Sequence, residues 1–304
     1  MKTFCLSENF KSRLNEFPVG VASSREFKHR GWKPILHPLK LGFMTGRKSL
    51  LKEELTKMNL EEILKGIEPI EPEWIVKARA RTEQLVMPTR ALGRLHEISE
   101  RLCGIQKTLQ PTIDRKAVLV MAGDHGVVDE GVSAYPQEVT GAMVQTFLAG
   151  GAGINAIARQ AGAEVFVVDM GIKADLAEAD LPGNDRLIIH KISAGTANFT
   201  LGPAMSRQEA EQSILLGFQE ASKLIQEGVE IIGTGDMGIG NTTPSAAIGA
   251  VITGAGLEEM VGRGTGVDDD GLARKRHAVT RGISINRPDS RDGLDVLAKV
   301  GGFE

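Results

Sequence analysis

The run Ala117-Val118-Leu119-Val120-Met121 is apolar without interruption and stops at Ala122-Gly123-Asp124-His125-Gly126. A strand with one wet face alternates apolar and polar residues. An unbroken run marks a strand covered on both faces, the habit of parallel sheets flanked by helices. Val165-Phe166-Val167-Val168 repeats the pattern and ends at Asp169-Met170-Gly171, and Leu187-Ile188-Ile189 is a shorter third run. Val229-Glu230-Ile231-Ile232-Gly233 is a fourth, leading into a Gly-rich segment. Between these runs lie stretches with helical spacing, from Gln137 to Leu148, from Ile154 to Gln160, and from the capping box Ser206-Arg207-Gln208-Glu209 to Gln226. Thr243-Pro244 is expected to open another helix, with Thr243 as cap and Pro244 at the first position. Strand–helix alternation of this kind predicts an α/β fold, a Rossmann-like and mostly parallel sheet with helices on both faces.

Upstream of the first strand the pattern differs. Residues 74–103 carry Ile75, Ala78, Leu85, Leu92, Leu95, Ile98 and Leu102 at helical spacing, and Pro88 is expected to split them into two helices. Residues 1–57 hold Trp32 with Phe4, Phe10, Phe17, Phe27 and Phe43 but no steady period. Met58 then opens the clean helical stretch Asn59-Leu60-Glu61-Glu62-Ile63-Leu64. Met58 is therefore read as the natural start. Lys52-Glu53-Glu54 is what a purine-rich ribosome-binding site would encode if read through.

Composition narrows the function classes. A net charge of -3 gives no long-range attraction for nucleic acid or an anionic membrane, so neither is expected as a partner. Cys5 and Cys103 fit neither a metal motif nor a disulfide framework, and a reducing cytoplasm is the expected compartment. There are 36 glycines and only 4% aromatic residues, a pairing that suits tight turns and close backbone approach to a ligand.

In doubly wound sheets ligands sit beyond the carboxyl ends of the strands, which directs attention to the three polar turns. The richest is Gly233-Thr234-Gly235-Asp236-Met237-Gly238-Ile239-Gly240-Asn241-Thr242-Thr243-Pro244. Its glycines let backbone N–H groups approach a ligand, and the segment feeds a helix N-terminus whose dipole favours an anion, so a phosphate is the natural guest. No Gly-Lys-Ser/Thr follows, so this is not a P-loop. Asp236 either accepts a hydrogen bond from a heterocyclic N–H or bonds its own turn, and spacing does not decide between them. Asp124-His125 has no partner histidine at ligand spacing, so His125 is read as bonding backbone carbonyls in a tight turn, with no metal. Asp268-Asp269-Asp270 is read as a solvated loop capping a helix that begins near Gly271. Lys275, between Arg274 and Arg276, belongs either to a solvated basic face or to a phosphate site that its length lets it reach. Tyr135, Met143 and Phe147 form either plain core or a flat apolar wall for an aromatic ring.

Three motifs carry a family resemblance. Ala122-Gly123-Asp124-His125-Gly126-Val127-Val128-Asp129-Glu130-Gly131-Val132-Ser133 is similar to the first signature of the nicotinate-nucleotide:dimethylbenzimidazole phosphoribosyltransferases. Gly238-Ile239-Gly240-Asn241-Thr242-Thr243-Pro244 resembles their second. Ile285-Asn286-Arg287-Pro288, Asp292-Gly293-Leu294-Asp295-Val296-Leu297 and Lys299-Val300-Gly301-Gly302-Phe303 together resemble a third. The resemblance runs collinearly from about Met58 to Glu304.

It implies a pentosyl-transferring enzyme of cobalamin (vitamin B12) nucleotide-loop synthesis. Nicotinate mononucleotide and 5,6-dimethylbenzimidazole would give α-ribazole 5′-phosphate and nicotinate, with inversion at the ribose and no cofactor. It further implies a homodimer and a small helical domain beside the Rossmann-like one. Residues 58–110 would belong to the small domain, residues 111–304 to the Rossmann-like domain, and residues 1–57 would form a leader. Carried over by position, the turn from Gly238 to Thr243, with Gly240, Asn241 and Thr242, would hold the phosphate near Lys275, Met237 would be a further substrate-binding position, and Asp236 would sit beside the benzimidazole where some relatives have Glu. Tyr135 and Met143 would line the base pocket where other members have polar residues, and Asp124 would lie close by. The family's general-base glutamate is expected beyond residue 304, because Glu304 belongs to the preceding Gly-Gly-Phe motif. The chain is accordingly expected to stop short, with a non-catalytic nucleotide- or benzimidazole-binding form as the alternative reading.

Overall fold

The computed structural model describes residues 59–176 and 183–304. The readings of residues 1–57 and of Met58 as a start lie outside the described residues. The first helix among the described residues, α1 (Leu60–Lys65), opens with a reciprocal cap: Asn59 Oδ1 accepts from Glu62 N at 2.9 Å, and Glu62 accepts from Asn59 N at 3.1 Å. Helices α2 (Pro72–Glu83) and α3 (Arg94–Gln106) pack on one another, with Pro88 in the segment between them as expected. Their contact encloses Glu100, buried on α3, which receives Arg79 at 3.1 Å and Arg90 at 3.0 Å.

Four parallel strands follow: β1 (Lys116–Gly123), β2 (Ala163–Gly171), β3 (Leu187–Ile189) and β4 (Ile231–Met237), in the order β3-β2-β1-β4. Helices α4 (Val139–Leu148) and α5 (Gly153–Ala161) connect β1 to β2, and α6 (Arg207–Gln226) leads to β4. Four more helices follow β4: α7 (Thr242–Thr253), α8 (Leu257–Met260), α9 (Asp269–Asn286) and α10 (Gly293–Val300). Among the described residues no helix is long and apolar enough to cross a membrane.

The unbroken apolar runs are explained by what covers them. Successive strand residues face opposite sides. Ala117 and Leu119 of β1, with Val168 and Met170 of β2, join one core with Ala210 and Leu224 of α6 and Val296 of α10. Val120 and Ala122, with Val165 and Val167, face the other way onto Val144 and Leu148 of α4 and Ala158 of α5. A polar residue on either face would lose its water.

Two expectations are corrected. The fourth strand does not end at Gly233 but continues through Gly235 to Met237, because its glycines pair in register with Val118 and Val120 of β1. Half of the expected Gly-rich turn is thus strand, and the true turn is 238–241. Helix α7 begins at Thr242, not after Thr243, with Asn241 in the cap position and Pro244 inside the first turn. Thr243 is drawn into that turn by its N–H, which donates to the Gly240 carbonyl at 2.9 Å.

Candidate active site

The carboxyl ends of the adjacent strands β2, β1 and β4 bring the three polar turns together. Asp124 N donates to Gly171 O at 2.9 Å, joining the first turn to the second. The third is joined by close approach. A Cβ on Gly238 would collide with the Gly123 carbonyl oxygen and lie 2.8 Å from His125 Nε2. Ile239 N donates to the buried Thr140 hydroxyl at 3.1 Å, which fixes the same turn to α4.

Within the turn, Asn241 N donates to Gly238 O at 3.0 Å. Gly240 has φ +89°, a left-handed conformation that a side chain strains. The turn delivers the chain into α7, a 12-residue helix whose positive dipole end lies here, with Thr243 N and Ser245 N donating to Gly240 O and Asn241 O and Pro244 carrying no N–H. Lys275 reaches this point from α9, its Nζ donating to Thr242 Oγ1 at 2.5 Å. Its side chain is 1% exposed, so the solvated-face reading is corrected for Lys275. Burial lowers its pKa from the usual 10.5 to about 8, and among the described residues no carboxylate pairs with it. A buried cation at a helix N-terminus, held only by a hydroxyl, is suited to receive an anion. The flanking Arg274 and Arg276 point elsewhere, to Gly131 O at 3.2 Å and to Glu258 at 2.6 Å.

Asp236 is exposed, and its Oδ2 accepts from Asn241 Nδ2 at 2.5 Å. It sits at a cavity of about 340 Å³ lined by Val118, Val120, Met143, Phe147 and Thr234. The cavity has an apolar floor, with Met143 and Phe147 both part of it; Asp236 pairs with Met121 in the ladder, so its side chain leaves β4 on the face opposite Val118, Val120 and Met237. Tyr135 is not among the lining residues and is 55% exposed. Met237, the last strand residue, turns its side chain toward the α4 and α5 cores.

Asp124 is buried, its Oδ2 accepting from Lys173 N at 2.8 Å. His125 departs from the backbone-carbonyl reading. Neither ring nitrogen hydrogen-bonds a carbonyl, and Nε2 instead lies 2.8 Å from Glu304 Oε1. Burial opposes a charge on this ring, but Glu304 first, then Asp124 and Asp236, outweigh it and raise the pKa. Sequence reasoning placed no partner beside His125, since nothing in local spacing marks a contact between the two ends of the domain. Asp268 behaves as expected, capping α9 through Gly271 N at 2.8 Å. Among the described residues no group of three His, Cys, Asp or Glu side chains could hold a metal ion.

Comparison with known proteins agrees with this arrangement. Residues 67–304 match the family model described as Phosphoribosyltransferase. A nicotinate-nucleotide–dimethylbenzimidazole phosphoribosyltransferase of Geotalea uraniireducens is 50% identical over 245 residues, 81% of this chain and 68% of that protein. The enzyme of the same name from Desulfotalea psychrophila is 53% identical over 227 residues, 75% of this chain and 63% of its own length. The crystal structure of CobT from Thermus thermophilus superposes with a TM-score of 0.71 at 49% identity, covering 77% of this chain and 68% of that one. With the family model matched over most of its length and half its aligned residues shared with named members, the chain belongs to the phosphoribosyltransferase family of the nicotinate-nucleotide–dimethylbenzimidazole enzymes.

Proposed function

We propose that the chain's site serves transfer of the phosphoribosyl group from nicotinate mononucleotide to 5,6-dimethylbenzimidazole, giving α-ribazole 5′-phosphate and nicotinate. The observation that carries this reading is the buried, carboxylate-free Lys275 ammonium at the 238–241 turn and the start of α7. An anionic phosphate there would relieve the desolvation cost of the cation, accept from its ammonium and lie at the favourable end of the α7 dipole. Thr242, Thr243 and Asn241 belong to the same turn, which Gly238 and Gly240 let pack directly on Gly123, His125 and Val128.

With the phosphate anchored, the ribose anomeric carbon would be held toward the Asp236 cavity. Its apolar floor suits a benzimidazole ring, and the carboxylate suits that ring's N–H. The chemical step breaks the bond from the anomeric carbon to the pyridinium nitrogen as the benzimidazole nitrogen forms a new one from the opposite face. Nicotinate leaves with the electron pair, and the benzimidazole proton passes to solvent water. The pyridinium charge makes departure easy, so positioning the two rings carries much of the work. Asp236 is proposed to orient the benzimidazole through that N–H. In keeping with the family, the chain is proposed to act as a homodimer in the cytoplasm, with residues 58–110 in a small helical domain and residues 111–304 in the Rossmann-like one.

Two measurements test this. Calorimetric titration with nicotinate mononucleotide is expected to show one site per chain that is lost in Lys275→Met. Incubation with both substrates is expected to release nicotinate only when dimethylbenzimidazole is present. A wild-type chain that is folded yet binds no nicotinate mononucleotide refutes the reading.

A further inference from the structure

The His125–Glu304 contact is unused by that scheme, yet it is the most deeply buried ionic contact beside the site. His125 is fully buried at the end of β1, and the Glu304 side chain is 8% exposed. Their atoms approach to 2.8 Å. The ring is clamped between two glycines. A Cβ on Gly302 would stand 2.6 Å from His125 Cε1, and one on Gly238 would stand 2.8 Å from Nε2. Gly238 is the first residue of the turn that Lys275 faces. The imidazole is thus the floor on which that turn rests, and Glu304 holds the floor from the side of α10.

We propose that Glu304 and His125 form a positioning pair for the anion-binding turn: Glu304 fixes the His125 ring through their 2.8 Å contact, and the fixed ring holds Gly238 and the turn after it in the geometry that receives the substrate phosphate. This rests on the phosphate assignment above. His125 is too deeply buried to touch substrate, so it acts through the main chain of Gly238. The titratable groups facing it are Glu304 after α10, Asp124 at the end of β1 and Asp236 at the end of β4, all carboxylates. They favour the charged ring despite its burial. Removing the Glu304 charge leaves a buried ring with weaker support. It then loses its proton at lower pH, and the turn loosens with it.

The test uses the whole chain and two readouts. First, the His125 ring is followed by ¹⁵N NMR against pH. In the wild type the imidazolium is expected to persist above the usual histidine range near 6.5. In Glu304→Gln it is expected to titrate at lower pH. Second, the Kd for nicotinate mononucleotide is measured by calorimetry from pH 5.5 to 7.5. Wild type and Glu304→Gln are expected to draw together toward the acid end, as the variant ring regains its proton. They should differ by roughly tenfold at pH 7.5, which corresponds to about 1.4 kcal/mol. A role limited to stability would lower the melting temperature without moving this pH dependence. A neutral His125 in the wild type at pH 7 overturns the proposal even if Glu304→Gln does not fold. So does a folded Glu304→Gln whose Kd tracks the wild type at every pH. If the wild type itself binds no nicotinate mononucleotide while His125 stays cationic, the functional reading falls and the positioning role falls with it.

Discussion

Replacing Lys275 with methionine should make the protein more stable and less able to bind. Methionine keeps most of the aliphatic stem and deletes the ammonium. In the wild type, burial brings that ammonium from the usual 10.5 down to about 8. At about 1.36 kcal/mol per pH unit, the buried charge costs the folded state about 3 kcal/mol at neutral pH. The hydrogen bond to Thr242 returns about 1 kcal/mol, and the variant forfeits it. The net expectation is a gain of about 2 kcal/mol in unfolding free energy, read from the urea midpoint at pH 7. The pH dependence carries a definite sign. Because the folded pKa lies below the unfolded one, the unfolded chain holds more protons between about 8 and 10.5. Wild-type stability should therefore rise by about 3 kcal/mol across that window relative to Lys275→Met, so the two curves should cross within it and leave the wild type, which keeps the Thr242 hydrogen bond, about 1 kcal/mol the more stable at its top. Phosphate affinity should move the opposite way, weakening above pH 8 in the wild type and falling roughly 10- to 100-fold in the variant at pH 7, the worth of a charge-assisted hydrogen bond. A variant that is destabilised, or one that binds nicotinate mononucleotide as tightly as the wild type, would refute the reasoning that an unpaired buried cation is kept for an anion.

Other expectations follow from named contacts. Gly238→Ala puts a methyl against the Gly123 carbonyl and His125, so unfolding free energy should drop by more than about 2 kcal/mol; a change within 0.5 kcal/mol would mean that the turn relaxes freely. Asp236→Asn should weaken dimethylbenzimidazole binding more than nicotinate mononucleotide binding, which it reaches only through Asn241 and His125, and equal losses for both ligands would argue against a role at the base. Burial would raise the Glu100 pKa, but the bonds from Arg79 and Arg90 outweigh it and hold the carboxyl below its usual range. Its contribution is thus present above about pH 4.5 and lost as pH falls through the lower folded value. Glu100→Gln should cost about 1–3 kcal/mol at pH 7 and flatten that acid limb in urea titrations; an unchanged limb would show that Glu100 is not its source.

Much was legible in the chain because the deciding physics is local. Unbroken apolar runs at Ala117 and Val165 could only be strands covered on both faces, and they are. The Ser206 capping box opened α6, which ends at Gln226 as its spacing suggests. Asp268 capped its helix because an N-cap needs only the backbone three residues on. The 238–244 motif pointed to an anion site for the same reason, since glycines and a helix start are properties of one short segment.

What only the tertiary structure decided depends on residues distant in sequence. Glycines at 233 and 235 read as turn but became strand, because β1 supplied a partner at every position. Lys275 sat in a basic triplet with no local sign that it alone would be buried, and the packing of α9 against α7 turned it inward. Tyr135 and Met143 lie close in sequence, yet only Met143 lines the cavity beside Asp236. His125 and Glu304 are joined by no sequence pattern. Their pairing exists because the parallel order β2-β1-β4 gathers three strand ends and α10 returns the chain across them. The sequence by itself determined the covered strands at Ala117 and Val165 and the caps at Ser206 and Asp268, whose free energies are set within a few residues. The charged partners around them were decided by the fold, which alone sets how far each buried charge lies from water and from its counter-charge.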